Sequence, residues 1–495
     1  MGIIKKQSVL NSLINYTGIV LGFITTIYLY PRIFDTEQYG LTRLLLSVSF
    51  VFTQFAHLGI KNISIKYFPF FQDKKNHHNG FFFIILLVPF LGMLLFLLIF
   101  ILFDSFIIDF YSSENSVLFV SYYWYIIPLV FSILYFIVLD SYIRALFNSI
   151  PGSLASEIII RVSTIILLLL YSFQYLDFEQ FMIGFVGSYF LQPLYLIIHL
   201  INIGEFRIKL SLSIFKIIPA KELISFGFFG ILGGISSILV NNIDIIMLGS
   251  LSGLTETGIY AIAFYVGSVI VVPKKSIAKI APTLVAKHLK EGDLDEIEKI
   301  YKSSSINQLL VGVLIYIGVW ANLDNLFSIL PSDYSGGELV VLIIGAAKLI
   351  DMAAGINGVI ILNSKYYRFD LYSIVFLIAL SVALNYTLIP IYGISGAAIA
   401  TFTSILIYNI IKCVYLWKKY HIQPLTNKVP WLLITGALVL VLFQFLPKIG
   451  GTYSDIAVRS ILITALFSLI IYKLKISEDI NLLIRQVLRR AKLIT

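Results

Sequence analysis

The chain has 495 residues, of which 59% are hydrophobic and 13% are charged, and its mean hydropathy is +0.92. A soluble domain carries about 25% charged residues, so this composition excludes a soluble protein and indicates an integral membrane protein. The net charge of +9 does not indicate a nucleic-acid partner, because the basic residues lie between hydrophobic runs. Cys413 is the only cysteine, which excludes disulfides within the chain and thiolate metal sites.

The apolar segments are long enough to cross a membrane. The first follows the charged start 1–6, but it is too long for a signal peptide, and Tyr30-Pro31-Arg32 is not a small-residue cleavage site. It is therefore a transmembrane helix. The sequence predicts an all-α integral membrane protein with about 14 transmembrane helices, at roughly 10–33, 41–60, 81–103, 118–139, 154–173, 181–201, 223–248, 259–284, 304–323, 338–362, 371–389, 394–417, 430–447 and 455–473.

The loops between these spans alternate in charge. Lysines and arginines concentrate in every second loop and at both ends of the chain. The intervening loops have almost none: 448–454 contains only Lys448, and the loops without any are 104–117, 174–180, 249–258, 324–337 and 390–393. By the positive-inside rule, this asymmetry places both termini in the cytoplasm.

A local motif repeats between the two halves of the chain. The segment 34–41 (FDTEQYGL) resembles 254–260 (LTETGIY), and Gly258 follows Gly40 by 218 residues. The chain therefore reads as two tandem membrane halves, and the second half starts near Lys221. The predicted parts are an N-terminal lobe at 1–202, a cytoplasmic linker at 203–222, a C-terminal lobe at 223–417, the two extra helices at 418–473 and an amphipathic cytoplasmic tail at 474–495.

Several charged residues fall inside the predicted spans. A charged side chain near the bilayer centre costs roughly 2.5–3.5 kcal/mol on insertion scales, so it normally faces a cavity or a partner. Lys348 and Asp351 are three residues apart and can neutralise each other, whereas Arg32 and Arg43 can extend outward. We predict that the substrate-binding cations are Lys274, Lys275, Lys279, Arg32, Arg43 and Lys348, and that the coupling-cation or pairing carboxylates are Asp244, Asp351 and Asp35.

The lysines of span eight carry most of this hypothesis. Lys274 and Lys275 lie about midway along the span, with no acidic residue within one helical turn, and Lys279 continues the face of Lys275. Pro273 precedes them and removes a backbone hydrogen bond at that depth. Two interpretations stay open: the lysines contact an anionic headgroup, or they pair with Asp244 or Asp351 across the bundle.

The sequence lacks patterns typical of enzymes. It contains no Ser-His-Asp set, no paired carboxylates and no phosphate loop, and its six histidines have no metal-ligand spacing. We expect His77 and His78 to be solvated, because they lie in a charged loop. The prediction is a protein that is not an enzyme, needs no cofactor, and can use a coupling cation, H⁺ or Na⁺.

The segment 385–401 (NYTLIPIYGISGAAIAT) resembles helices eleven and twelve of bacterial polysaccharide (lipid-linked oligosaccharide) flippases, in the multidrug/oligosaccharidyl-lipid/polysaccharide exporter superfamily. The turn 34–40 and the helix end 244–249 are similar to other marks of that family. The resemblance implies two six-helix lobes related by the internal repeat, a central cavity, two additional C-terminal helices and transport by alternating access. It also implies flipping of an undecaprenyl-diphosphate-linked oligosaccharide to the outer leaflet of the bacterial cytoplasmic membrane, for O-antigen, lipopolysaccharide or exopolysaccharide synthesis. The implied partners are this substrate, membrane lipids, a polysaccharide polymerase and glycosyltransferases.

Two other functions are less consistent with the sequence. A cation-coupled multidrug antiporter of the same superfamily would need an acidic cavity for cationic drugs, whereas the charge in span eight is basic. A membrane polysaccharide polymerase or ligase would need a large external loop, and no predicted outward loop exceeds about fifteen residues. Loop length and charge therefore favour transport of an anionic lipid.

The predicted topology can be tested by cysteine labelling in a chain whose Cys413 is replaced by serine. Single cysteines at Ser112 and Ser303 should react with an impermeant maleimide from opposite sides of the membrane, because the first lies in an outward loop and the second follows a cytoplasmic one. Labelling of both positions from outside intact cells would contradict the fourteen-span topology.

Overall fold

The computed structural model describes residues 2–73, 75–111, 116–211, 213–271 and 274–482, without the side chains of 2–6, 8–9, 232–233, 236–237 and 275–280. All regular secondary structure in these ranges is helical, and the chain divides into two compact units, Met1–Gly258 and Ile259–Thr495. The helices of the first unit are α1 Gly2–Phe23, α2 Tyr30–Ile33, α3 Thr36–Ala56, α4 Ile60–Phe71, α5 Phe81–Leu102, α6 Asp104–Tyr111, α7 Val117–Tyr122, α8 Ile126–Ala145, α9 Ile150–Leu154, α10 Ile160–Ser172, α11 Phe178–Asn202, α12 Ile214–Ile217 and α13 Ala220–Leu251.

The second unit is helical as well. Helix α14, Leu254–Ser268, begins in the first unit and continues into the second. The helices that follow are α15 Lys274–Glu291, α16 Leu294–Ala321, α17 Leu323–Ile329, α18 Glu338–Ala353, α19 Asn357–Asn363, α20 Tyr367–Tyr420, α21 Val429–Gln444 and α22 Thr452–Leu474. Short π segments, Ile24–Leu29 and Ala155–Ile159, and 3₁₀ segments, His77–Gly80, Tyr123–Tyr125, Val269–Val271 and Ser332–Gly337, join some of them.

The helices account for the predicted number of membrane spans. Nine described helices are long and apolar enough to cross a membrane, and two pairs bent by 43° and 46°, α3 with α4 and α18 with α19, raise the number to eleven. The 54-residue helix α20 contains two predicted spans, and the apolar helices Ile238–Leu251 and Val429–Gln444 supply two more. The prediction of an all-α multi-pass membrane protein with about 14 transmembrane helices is confirmed.

The two repeated motifs contact each other inside the first unit. Helix α3 begins after Asp35, whose carboxylate accepts a hydrogen bond from the backbone N–H of Gln38 at 2.7 Å. A methyl group on Gly40 would overlap the carbonyl oxygen of Leu254, and a methyl group on Gly258 would overlap that of Thr36. Glycine at both positions therefore lets the starts of α3 and α14 approach backbone to backbone.

Helix α20 contains the predicted hairpin between spans eleven and twelve. Gly393 has φ 54° and ψ −133°, a conformation that is accessible to glycine and strained for other residues. Pro390 precedes it, and a methyl group on Gly396 would overlap the carbonyl oxygen of Leu388. The small residues in this segment therefore reverse the chain and allow the two halves of the hairpin to pack closely.

The loop before α5 differs from expectation at one histidine. His78 is only 4% exposed, and its Nε2 lies 2.9 Å from a carboxylate oxygen of Glu205 in the linker. Its Nδ1 accepts a hydrogen bond from the backbone N–H of Asp73, while hydrogen bonds from Asn76 lower the pKa of the Asp73 carboxyl. The expectation that His78 is solvated is wrong, because this turn directs the ring onto the linker and away from water.

The two C-terminal helices pack on α16. An apolar cluster that includes Leu309, Leu432 and Phe467 joins α16, α21 and α22. At one end of the helices, Arg459 donates from Nε to Asp455 at 2.7 Å and from its terminal nitrogens to the carbonyl oxygens of two residues in or after the last turn of α21. The guanidinium therefore satisfies carbonyls that a helix end leaves without a partner.

Two expectations fall wholly or partly outside the described residues. The missing backbone hydrogen bond expected at Pro273 lies outside them, and the predicted tail at 474–495 is described only to residue 482. The domain boundaries that follow from the loops stay predictions.

The glycine contact at the start of α3 generates a stability prediction. Gly40→Ala and Gly258→Ala should each lower the free energy of unfolding by about 1–3 kcal/mol, because the added methyl meets a backbone oxygen that cannot move independently. Thermal unfolding of the purified protein in detergent measures this effect. Gly187→Ala is the matched control, since a methyl group there contacts nothing within 4 Å. Equal stability of the Gly40, Gly258 and Gly187 variants would contradict the close approach.

Candidate functional site: buried cations in the membrane helices

Arg43 occupies an aromatic environment in the first unit. Its guanidinium carbon lies 4.8 Å from the ring centre of Tyr39 and 5.3 Å from that of Tyr30, and Tyr189 is a third neighbour. Both nearer tyrosines are almost completely buried. The ring faces stabilise the cation, and Tyr39 also shares a side-chain hydrogen bond with it.

The hydrogen-bonding capacity of Arg43 is only partly used. Its Nε is buried and has no hydrogen-bond partner among the described residues. The titratable groups that act on it in that part of the chain are tyrosines, not carboxylates. Arg43 is therefore a half-buried cation whose described charged neighbours are tyrosines and not carboxylates, and its Nε has no acceptor among the described residues.

The other candidates of the first unit have more ordinary positions. Arg32 is exposed and lies over the ring of Tyr28 at 3.7 Å, as expected for a side chain that extends toward the interface. Asp35 caps α3, and Asp244 is buried in α13 at 3% exposure. Of these residues, Asp35 already has a structural role as a helix cap.

Lys274 pairs with an acidic residue. Its Nζ lies 2.5 Å from a carboxylate oxygen of Asp351 and 3.3 Å from the carbonyl oxygen of the same residue. For Lys274, the structure therefore favours pairing over the alternative of a free headgroup contact. The side chains of Lys275 and Lys279 lie outside the described residues, so their substrate-binding role stays a prediction.

Lys348 is mostly buried beside the same pair. It is 8% exposed, its Nζ lies 5.0 Å above the ring of Phe264, and its charge acts on Asp351. Asp351 also accepts a hydrogen bond from Asn409, whose Oδ1 accepts from Asn357 at 2.9 Å. These contacts connect α15, α18, α19 and α20 through polar side chains inside the second unit.

Sequence reasoning missed another ion pair, and this one is buried. The Nζ of Lys412 lies 2.6 Å from a carboxylate oxygen of Asp370 and donates to the hydroxyl of Tyr408 at 2.6 Å, and the Lys412 side chain is 4% exposed. Tyr408 also lies within electrostatic reach of Asp351. The available signal was Lys412 itself, a lysine inside the apolar run of span twelve.

The charges of the polar cluster in the second unit do not cancel. Lys274, Lys348 and Lys412 face Asp351 and Asp370, so these five side chains carry one net positive charge at neutral pH. The part of the chain that the structure describes contains no group of three or more metal-ligating side chains. This arrangement is suited to an anion, and it offers no built site for a metal ion.

The fold and these side chains define a multi-pass helical membrane protein with buried cations in both units. The chain belongs to the polysaccharide biosynthesis protein family, whose sequence pattern matches residues 4–286, more than half of its length. The resemblance to polysaccharide flippases of the exporter superfamily is thereby confirmed.

Two curated proteins of Haloferax volcanii are similar to this chain. One is a probable low-salt glycan biosynthesis flippase, 20% identical over 249 residues, and the other is a probable flippase, 26% identical over 263 residues. Each alignment covers 50% of this chain and 53% of the relative. The chain thus spans about half the length of the curated relatives it matches.

Solved structures share the fold. The lipid II flippase MurJ in an inward closed conformation has a TM-score of 0.70 at 15% identity, with 95% of this chain and 100% of that chain covered. An inward-facing multidrug resistance MATE family transporter of the MOP superfamily has a TM-score of 0.61 at 12% identity, with coverages of 83% and 94%. At 15% and 12% sequence identity, the structural similarity to these two proteins establishes the fold alone.

The pairing of Lys274 with Asp351 can be tested by a double-mutant cycle on unfolding. Lys274→Met and Asp351→Asn should each destabilise the protein, and the double variant should recover about 0.5–3 kcal/mol relative to additivity, because neither charge is then left without its partner. The control cycle uses the exposed pair Lys299 and Glu296, for which a much smaller coupling is expected. Strict additivity at Lys274 and Asp351 would contradict the ion pair.

Proposed function

We propose that this protein is a secondary transporter that flips a diphosphate-linked oligosaccharide lipid from the cytoplasmic to the outer leaflet. The family membership and the names of the curated relatives support a role in moving lipid-linked glycans. The predicted topology supports the direction, with both termini in the cytoplasm of a bacterial inner membrane. The donor glycosyltransferases act before it, and a polymerase acts after it.

The observation that carries this proposal is the state of Arg43. A buried guanidinium normally has a carboxylate beside it, because an isolated charge in an apolar environment is costly. Arg43 instead has three tyrosines and an unused Nε donor in the described structure. Guanidinium groups bind phosphate strongly, since their planar donors match two oxygens at once. A lipid diphosphate is the substrate group that best complements this site.

The second unit supports the same substrate class. Its described cluster retains one net positive charge, and the sequence adds the two basic residues Lys275 and Lys279 to α15. Lys274 holds Asp351, so it is assigned to the structure of the cluster and not to substrate binding. Within the second unit we assign anion contacts to Lys348, Lys275 and Lys279, as we assign one to Arg43 within the first unit, and we propose alternating access as the transport mechanism.

We propose that a coupling cation, a proton or Na⁺, acts through Asp244, a carboxylate that lies within α13 at 3% exposure. A multidrug antiporter would be expected to present acidic groups to a cationic drug. The cationic character of both units therefore favours the lipid-linked glycan.

The proposal predicts a transport defect in variants of Arg43. In proteoliposomes, Arg43→Ala should slow flipping of a fluorescent undecaprenyl-diphosphate oligosaccharide roughly ten- to hundredfold, because a charge-assisted hydrogen bond contributes about 1.5–3 kcal/mol. Arg43→Lys should restore part of the rate, since a point charge still attracts phosphate. The assay scores substrate that becomes accessible to an added glycosidase.

The control for this experiment is Arg368→Ala, which removes an exposed arginine at the start of α20. This variant should retain the native rate. The double variant of Lys275 and Lys279 to alanine should show a defect of the same kind as Arg43→Ala. If Arg43→Ala is folded and flips the substrate at the native rate, the diphosphate assignment is wrong.

A further inference from the structure

A polar cavity of about 410 Å³ lies where α16, α21 and α22 meet in the second unit. Its mouth lies among the loops that follow α16 and α21, which the charge pattern places on the outer side of the membrane. The volume is within the range of about 300–1,000 Å³ that is typical of small-molecule sites. The cavity is separate from the buried lysine cluster, with which it shares no lining residue.

The floor of the cavity is rigid and already neutral. Asp455 accepts hydrogen bonds from Arg459 Nε at 2.7 Å, from Asn325 Nδ2 at 2.6 Å and from the backbone N–H of Ile449 at 2.8 Å. Arg459 donates its remaining bonds to backbone carbonyls. The carboxylate and guanidinium therefore cancel each other and are fixed by five hydrogen bonds.

Asn325 leaves one acceptor without a donor. The residue is 3% exposed, and its Oδ1 is buried and has no hydrogen-bond partner among the described residues. Its orientation is fixed, because a carboxylate can only accept and the Asn325 amide must therefore direct its nitrogen at Asp455. A buried acceptor of this kind costs free energy unless a ligand or water donates to it.

One wall of the cavity is aromatic. Trp320 is half-buried at the end of α16, and Tyr316 packs against it edge to face, with ring centres 5.5 Å apart and an angle of 84°. An indole face is electron-rich and attracts the weakly positive C–H groups on one face of a sugar ring. The mouth adds the exposed polar side chains of Asp324, Gln444 and Lys448.

We propose that this cavity is a saccharide-binding site that takes an uncharged sugar ring on the outer side of the membrane. The indole face receives the ring, Asn325 Oδ1 accepts from a hydroxyl, and the side chains at the mouth exchange hydrogen bonds with the others. A charged ligand is not required, because Asp455 is neutralised by Arg459, and the lining residues Asp324 and Lys448 carry charges of opposite sign. The source of the sugar rests on the proposed function: it is the glycan of the transported lipid or the finished polysaccharide.

Saturation-transfer NMR on the full chain in nanodiscs tests the site directly. The probes are glucose, galactose, N-acetylglucosamine and rhamnose, and at least one should receive saturation from the native protein. Trp320→Ala should weaken its binding about tenfold, because the ring loses its aromatic contact. The combined variant Asp324→Asn with Gln444→Ala should weaken sugar binding several-fold. Because this variant leaves the Asp455–Arg459 floor intact, it tests the site even when Trp320→Ala fails to fold.

The matched control is Trp431→Ala, which removes an exposed tryptophan near the start of α21 and should bind the same sugars as the native protein. No saturation of any of the four sugars, or equal saturation in the native, Trp320 and mouth variants, would overturn the site and indicate a cavity filled by water only.

The proposed function is judged separately by the flipping assay. Sugar binding without flipping would overturn the transport proposal and retain the saccharide site. Flipping without sugar binding would overturn the saccharide site and retain the transport proposal. If the site is confirmed, slower flipping by Trp320→Ala identifies the transported glycan as its ligand. An unchanged flipping rate then identifies the finished polysaccharide.

Discussion

The cost of a charge in an apolar environment is the constraint on which the sites of this protein depend. Each buried charge must have an opposite charge, a polar neighbour or a ligand, because water cannot solvate it inside the membrane. Lys412 has Asp370, Lys274 has Asp351, and Arg459 has Asp455. Arg43 has tyrosine rings and an unused donor instead. This difference separates charges that are paired within the fold from the charge that we propose contacts the substrate.

The ion pairs connect helices that the apolar residues alone would not fix in one register. Lipid tails are as apolar as the helix surfaces, so polar contacts and close packing decide how membrane helices associate. The glycines at 40 and 258 supply the close packing at the repeated motif, and Asp455 and Arg459 connect α22 to Asn325 of α17 and to the end of α21. The carboxylate of Asp455 also orients Asn325, which lines the cavity beside Trp320.

Much of the fold could be predicted because hydropathy and loop charge report on the membrane directly. The number of spans, the hairpin at Gly393 and the repeated motif all follow from residues that neighbour each other in the sequence. The choice among possible partners could not be made in this way. Asp351, 77 residues from Lys274, was one of two candidate carboxylates, and the aromatic environment of Arg43 requires Tyr189 from another span. Lys412 was overlooked because its apolar neighbours resemble an ordinary span.

The central claim is our proposal that a lipid diphosphate binds the Arg43 guanidinium. The most direct test is an electron cryomicroscopy structure of the full chain with undecaprenyl-diphosphate oligosaccharide bound. The account predicts phosphate oxygens at roughly 2.7–2.9 Å from the Arg43 guanidinium, the range for charge-assisted hydrogen bonds. Diphosphate density bound elsewhere, with Arg43 still held only by its tyrosines, would contradict the account.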